Sequence, residues 1–251
     1  MTRPRKPWLM SGLLALCLAL GAPLAADARP DPQSLIRQVE TQYQSKTSHA
    51  VFRMKVVTRS WTREMTLEAW SEGRDKMLSK ILTPKKDAGT ATLKVGDSMW
   101  NYLPKIDRLM KIPSSLMGDR WMGSHLTNDD LVKEQKVDEL YTFKVASESA
   151  KEATIVATPK PDAAVVWGSI SYRIDLARQV PLDIRYFDED GELVRTITFD
   201  QVQTIDGRTL PMRMRYVPAD EPGEYTEMVY ESIRFDRPLP KDLFSVRSLR
   251  R

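Results

Sequence analysis

The sequence contains very little cysteine and histidine. Its 251 residues include one cysteine, Cys17, and two histidines, His49 and His125. A single cysteine cannot form an intramolecular disulfide, and a thiolate metal site needs several cysteines, so both are excluded. The two histidines are far apart and do not have the spacing of a zinc-binding pair. We therefore expect no metal site and no cofactor.

The chain also has few aromatic residues and no large excess of positive or negative charge. Aromatics make up 8% of the chain, and 38 Lys and Arg residues are nearly balanced by 34 Asp and Glu residues. The basic residues alternate with acidic ones and form no cluster, whereas nucleic-acid-binding proteins usually present a basic patch. We therefore expect no nucleic-acid partner.

Long apolar runs are absent except near the N-terminus. The run from Leu9 to Leu20 has about a dozen residues and is too short for a transmembrane helix, which needs about 20. Three basic residues precede this run, and a small-x-small cleavage pattern follows it and ends at Ala28. This arrangement predicts a cleavable signal peptide over residues 1–28 and export to the periplasm of a two-membrane bacterium. Residues 29–251 then form a single domain.

From residue 50 onward, apolar and polar residues alternate with the period of two that is typical of half-buried strands. In the first such run Phe52, Met54 and Val56 share one face, while the residues between them are basic. The pattern predicts about a dozen antiparallel strands in meander order, at residues 50–57, 62–70, 76–82, 90–95, 98–103, 108–112, 140–147, 152–159, 168–176, 181–188, 193–204, 210–217 and 225–235.

Residues 32–46 have a helical period instead. Apolar residues recur there at Leu35, Ile36, Val39 and Tyr43. Asp31 and Pro32 suit the cap and the first turn of such a helix. A sheet with one apolar face must cover that face. We therefore expect a mainly β fold, in which a strongly curved antiparallel sheet forms an open half-barrel under an N-terminal helix and a lid.

Residues 111–131 are the predicted lid, because the strand alternation stops there. His125 lies near serines and aspartates in this segment, but no G-x-S-x-G nucleophile motif surrounds it. We interpret His125 as a residue that holds the loop, and we expect no enzymatic activity. Asp129 and Asp130 follow Thr127 and Asn128, and either Thr or Asn suits the N-cap of a short helical turn that starts with acidic residues.

An apolar patch beside the lid is the best candidate for a binding site. In the hairpin 99–112 we expect Trp100 and Tyr102 to share a face with Met110 and Ile112. The chain then enters a lid rich in glycine and serine, which we expect to be weakly held. The predicted cavity and lid residues are Trp100, Tyr102, Met110, Ile112, Leu116, Met117, Trp121 and Met122. Methionine suits ligands of variable shape, but ordinary core packing explains the patch equally well.

The segment WNYLPKIDRLMKIPSSLMGDRWMGSHLTNDDL, residues 100–131, resembles the LolA-like family of outer-membrane lipoprotein-sorting proteins, as does PLPKDLFS at 238–245. The resemblance implies an open barrel whose hydrophobic cavity accepts acyl chains. It further implies an early-strand arginine that holds the lid, and Arg53, Arg59 and Arg63 are candidates.

The same resemblance implies a soluble periplasmic carrier of the acyl chains of lipoprotein or another lipid. Its partners would be an inner-membrane transporter and an outer-membrane acceptor, and we expect a monomer. The alternative function is a non-enzymatic periplasmic sensor or adaptor subunit of an envelope export complex.

Overall fold

The computed structural model of the protein describes residues 1–2, 31–133 and 137–250. The chain divides into two units, Met1–Pro30 and Asp31–Arg251, and the second contains every element reported below. The predicted signal peptide lies outside the described residues except for its first two. In the part of the chain that the structure describes, no helix combines the length and apolar character needed to cross a membrane.

Thirteen strands form one antiparallel sheet, which is not closed into a barrel. The strands are β1 (Thr47–Val57), β2 (Thr62–Glu72), β3 (Lys76–Thr83), β4 (Ala91–Val95), β5 (Ser98–Leu103), β6 (Arg108–Lys111), β7 (Tyr141–Glu148), β8 (Glu152–Pro159), β9 (Ser169–Asp175), β10 (Val180–Phe187), β11 (Leu193–Ile205), β12 (Arg208–Pro218) and β13 (Tyr225–Phe235). All the predicted strands are present, and their ends agree with the predicted ends to within three residues. The mainly β, open antiparallel fold is therefore confirmed.

The strand order differs from the predicted simple meander. The order across the sheet is β6-β5-β4-β3-β2-β1-β13-β12-β11-β10-β9-β8-β7. The first and last strands pair in the middle, so β6 and β7 lie at opposite edges although they follow one another in the chain. Alternation shows where strands lie but carries no information on this long-range pairing. Residues 112–140, which join β6 to β7, must therefore travel from one edge to the other.

Helix α1 (Pro32–Glu40) begins where the sequence predicts but ends six residues earlier. Asp31 caps it by accepting a hydrogen bond from the Ser34 N–H at 3.1 Å. Its buried face carries Leu35, Ile36 and Val39. Tyr43 lies in the turn that follows, where its ring stacks on Tyr230 at 5.0 Å between centroids.

The remaining helical elements are short. Helices α2 (Asn128–Lys133) and α3 (Val137–Leu140) belong to the 112–140 segment, as do the 3-10 turns Ser114–Leu116 and Trp121–Gly123. Two further 3-10 turns lie at Pro104–Ile106 and Val246–Arg250. The predicted helical turn at 240–245 is a hydrogen-bonded turn over residues 241–244 that leads into the last of these.

One face of the sheet, here called the inner face, is covered by α1 and by the lid, which we define as residues 112–133 and 137–140. Side chains from both covers are buried in the same core as strand residues from both halves of the sheet, including Ile36, Trp121, Leu126, Leu67 and Tyr172. A separate cluster lies on the outer face of β3, β4 and β5, where Leu249 of the C-terminal segment packs against strand residues. The two predicted covers of the sheet are thus present.

Candidate functional site

A cavity of about 230 Å³ lies between α1, the lid and the inner face of the sheet. Residues of α1 and the following turn line it (Val39, Glu40, Gln42, Tyr43, Gln44), with lid residues Trp121, Leu126, Asp130 and Leu131. The sheet contributes Phe52, Ala69, Met77, Ser79, Ile184, Tyr186, Ile197, Phe199, Met214, Tyr216, Met228 and Tyr230. Most of these side chains are aliphatic, aromatic or thioether groups. For scale, an apolar cavity of about 150 Å³ admits benzene.

Trp121 is the predicted site residue that lines this cavity. Its side chain is buried, and its indole N–H donates to Thr92 Oγ1 on β4 at 3.1 Å. Thr92 in turn donates to Asn101 Oδ1 at 2.8 Å. The neighbouring Met122 is half-buried against the same core and borders a second cavity of about 390 Å³ with Ile81, among others.

Trp100 and Tyr102 do not lie where the sequence predicts. In the β5–β6 hairpin Trp100 pairs with Lys111 and Tyr102 pairs with Leu109. Both aromatic rings pack against the cluster on the outer face of the sheet. The predicted grouping requires an odd number of residues in the connection, whereas four residues, 104–107, form it, and a change of register by one residue moves a side chain to the other face.

Met110 and Ile112 therefore occupy the face opposite to Trp100 and Tyr102. Met110 pairs with Asn101, and the Ile112 N–H donates to the Met99 carbonyl at 2.8 Å. Both are half-buried, but neither lines the cavity of about 230 Å³.

Leu116 and Met117 close the lid loop on itself rather than facing the cavity. The carbonyl of Leu116 accepts a hydrogen bond from the Asn128 side chain at 2.9 Å, and the carbonyl of Met117 accepts from the Asp129 N–H at 2.8 Å. Leu116 remains 42% exposed. Of the eight predicted residues, all of which are described, Trp121 alone lines the cavity; their part in lipid binding stays a prediction.

A buried ion pair anchors the lid to the sheet. Asp130 of α2 accepts two hydrogen bonds from the Arg195 guanidinium on β11, at 2.6 and 3.1 Å. The side chains of Asp130 and Arg195 are 2% and 6% exposed. The guanidinium also lies over the rings of Tyr186 and Trp167, at 4.2 and 4.7 Å from their centroids. Bidentate geometry and aromatic contacts together compensate the buried positive charge.

The predicted Thr127 cap forms part of this anchor. Thr127 Oγ1 accepts a hydrogen bond from the Asp130 N–H at 3.1 Å, while Asp130 Oδ2 accepts one from the Thr127 N–H at 2.7 Å. This reciprocal capping box orients the Asp130 carboxylate. The sequence analysis missed Arg195, which lies 65 residues away. The available signal was an arginine in phase with Ile197 and Phe199 on the apolar face of a predicted strand.

Arg63 is the early-strand arginine that contacts the lid. It donates to the Met122 carbonyl at 3.2 Å and to Asp87 at 2.9 Å. Met122 has a left-handed backbone, with φ of 51°, which a residue other than glycine rarely adopts. Of the other two candidates, Arg53 pairs with Glu231 and Arg59 lies near Glu224. The expectation of a weakly held lid is therefore wrong, because polar contacts hold it at several points.

His125 fixes the lid to the β12–β13 connection. Its backbone N–H donates to Thr226 Oγ1 at 2.9 Å, and its ring nitrogen Nε2 lies 3.4 Å from Glu224 and 3.5 Å from Glu221. The side chains of His125, Glu221 and Glu224 have potential metal-ligand atoms within 4.8 Å of one another. Arg120 already donates to both oxygens of Glu221, at 2.6 and 2.8 Å. The geometry thus agrees with a residue that holds the loop.

Glu40 is a carboxylic acid in the cavity wall. Its Oε1 accepts a hydrogen bond from the Tyr172 hydroxyl at 2.8 Å. Although part of its surface remains accessible, burial raises the pKa of Glu40 to about 7, against the hydrogen bond from Tyr172 and the attraction of Arg74, which lower it. Asp138 adds a smaller increase. The sequence analysis did not single out Glu40, because a glutamate at a helix end is ordinarily exposed.

Three solved structures share this fold over most of the chain. A DUF1329 family protein from Desulfovibrio piger has a TM-score of 0.78 and 22% identity, covering 88% of this chain and 100% of its own. An outer-membrane lipoprotein-sorting protein domain from Vibrio parahaemolyticus has a TM-score of 0.74 and 21% identity, covering 88% and 98%. A LolA superfamily protein from Nitrosomonas europaea has a TM-score of 0.69 and 17% identity, covering 86% and 98%.

The open sheet beneath a helix and a lid is thus a LolA-like fold, and the resemblance found in the sequence is confirmed. A protein-family model described as "Uncharacterized protein" matches residues 73–251, so the chain belongs to that family. No curated protein matches the chain by sequence.

Removal of the lid anchor's negative charge should strongly destabilise the protein. Asp130→Asn removes the negative charge that accepts both hydrogen bonds from the buried Arg195 guanidinium, and we expect the free energy of unfolding to fall by about 3–5 kcal/mol in urea titrations. The matched control is Asp200→Asn, since Asp200 pairs with Arg213 at the exposed surface. There we expect a loss of about 0–1 kcal/mol. Equal losses in the two variants would contradict the anchor role.

Glu40 should make stability fall as pH rises. Its pKa is 4.5 when unperturbed and about 7 in the folded protein. Between these values the unfolded chain releases the proton and the folded protein keeps it, so unfolding becomes more favourable by at most about 1.4 kcal/mol per pH unit.

Glu40→Gln removes this titration. Its stability relative to the wild type, from urea titrations at pH 5 and pH 8, should therefore increase with pH. A constant difference between the two proteins would show that the Glu40 carboxyl titrates normally.

Proposed function

We propose that the protein is a non-enzymatic carrier that binds the acyl chains of a lipoprotein or another lipid in the periplasm and moves them towards the outer membrane. The observation that carries the proposal is the largely apolar cavity beneath a tethered lid in a LolA-like fold. The apolar wall excludes water from bound chains, and the lid separates them from the solvent. The Vibrio parahaemolyticus protein with this fold is itself described as a lipoprotein-sorting domain.

The energetics suit such a carrier. Each buried CH₂ group contributes about 0.8 kcal/mol, so a long chain is retained only if most of it leaves water. The cavity of about 230 Å³ accommodates part of such a chain, and a third cavity, of about 140 Å³, shares its walls at Tyr43, Phe52 and Ala69. A longer ligand requires the lid to move. Binding would therefore break some lid contacts, and their re-formation would favour release.

The polar lid contacts provide a means of control. Arg63 and Arg120 hold the lid through partly exposed side chains, whereas the His125–Thr226 contact and the Asp130–Arg195 pair are buried. A partner that competes for the surface contacts would loosen the lid without unfolding the sheet. An inner-membrane transporter that loads the carrier and an outer-membrane acceptor that unloads it are the partners that this route requires.

An adaptor role is the second candidate, and the open sheet favours it. Strand β7 is an edge strand of the described sheet, and most of its residues are exposed, including Val145. An exposed edge can recruit a partner strand. Such an adaptor would not need the cavity to take up lipid.

A bulky side chain in the cavity should weaken lipid binding under the proposed function. Ala69→Trp places an indole among the lining residues, and we expect the affinity for a fluorescent fatty acid to fall at least about tenfold, the loss of roughly two buried CH₂ groups. Glu64→Trp is the matched control, because Glu64 is exposed on the same strand. Fluorescence titration measures both variants, with circular dichroism to verify folding. Unchanged affinity in Ala69→Trp would contradict the cavity assignment.

A further inference from the structure

Part of the cavity wall is polar. The last residue of α1 and the turn after it bring Glu40, Gln42 and Gln44 to the cavity wall. Ser79 on β3 lines the same cavity and is 1% exposed. Ser79 belongs to the inner face, since the adjacent Leu78 packs in the cluster on the outer face. Four polar side chains thus face a cavity whose other walls are mostly apolar.

Three of these side chains have buried oxygens with no protein partner. Gln42 Oε1, Gln44 Oε1 and Ser79 Oγ are inaccessible, and no described residue forms a hydrogen bond with them. Leaving such a group unsatisfied costs about 1–3 kcal/mol. Most buried polar groups in folded proteins do have a partner. Three unsatisfied oxygens along one cavity therefore indicate a site for a ligand that carries hydrogen-bonding groups.

The charge of the cavity wall excludes an anionic group from this site. No lysine or arginine is among the described residues that line the cavity. Asp130, the other acidic residue in the wall, is paired with Arg195. Glu40 accepts a hydrogen bond from Tyr172 on β9 and interacts electrostatically with Arg74 and Asp138. With a pKa of about 7, Glu40 is largely ionised at pH 8. A ligand carboxylate would be repelled there, whereas an N–H or O–H group would be bound.

One of the four side chains, Gln44, lies where two cavities share a wall. Gln44 lines both this cavity and the third cavity, of about 140 Å³, which continues along Ser48, Ser71 and Lys76. The apolar lining that includes Leu126, Ile197 and Met214 lies in the first cavity alone. An acyl chain in the first cavity would place the group that bears it between the two.

We propose that Glu40, Gln42, Gln44 and Ser79 form a polar subsite that binds the uncharged amide or hydroxyl groups joining a ligand's acyl chain to its head. The inference rests on the proposed carrier function and specifies its ligand class. Neutral amide-linked or hydroxyl-bearing acyl compounds are bound in preference to free fatty acids.

The test compares two ligands with the same chain, N-palmitoylethanolamine and palmitate, by displacement of a fluorescent fatty acid at pH 8. We expect the wild type to bind the amide about tenfold more tightly, the effect of one or two net hydrogen bonds. Gln42→Leu combined with Gln44→Leu should weaken amide binding about tenfold and change palmitate binding less than about twofold. Ser79→Ala should act in the same direction.

Gln203→Leu is the matched control, because Gln203 is exposed on β11. It should leave the affinities for both ligands unchanged. If both ligands bind the wild type equally and the subsite variants alter neither, the subsite is overturned and the carrier function stands. If neither ligand nor the fluorescent fatty acid binds the wild type, both proposals fail.

Discussion

Residues 112–140 join the two edge strands of a single open sheet, and most other features of the structure depend on this crossing. Because β1 pairs with β13 in the middle, β6 and β7 end at opposite edges. The connecting chain can satisfy this topology and bury Trp121 and Leu126 only by passing over the inner face. The lid is therefore a necessary consequence of strand order rather than an insertion added to a finished sheet.

The crossing also explains why charged groups are buried beside an apolar cavity. A connection of this length cannot hold its position through backbone pairing alone, and a few specific contacts fix it: Asp130 with Arg195, Arg63 with the Met122 carbonyl, and His125 with Thr226. The buried ion pair costs desolvation but specifies one position of α2. The space that remains between the lid, α1 and the sheet is the cavity.

Sequence reasoning predicted the strands well because alternation reports burial directly, and it predicted α1 and the Thr127 cap from local patterns. It failed wherever distant residues decide the outcome. The β1–β13 pairing, the partner of Asp130 and the environment of Glu40 all involve residues far apart in the chain. Trp100 and Tyr102 were misplaced for a smaller reason, since one residue more or fewer in the connection decides whether Met110 and Ile112 share their face. Trp121 was found because a large aromatic residue in a glycine-rich loop usually covers something apolar.

The central claim is that the cavity holds acyl chains in the cell. Native mass spectrometry with lipid extraction, on protein purified from its own periplasm, tests this claim most directly. The expected result is a mass increase of the carrier that corresponds to a bound lipid or acylated protein, and recovery of that lipid on extraction. A protein that is empty and also fails to take up a fluorescent fatty acid would contradict it, and the apolar cavity would then be an imperfection of ordinary core packing.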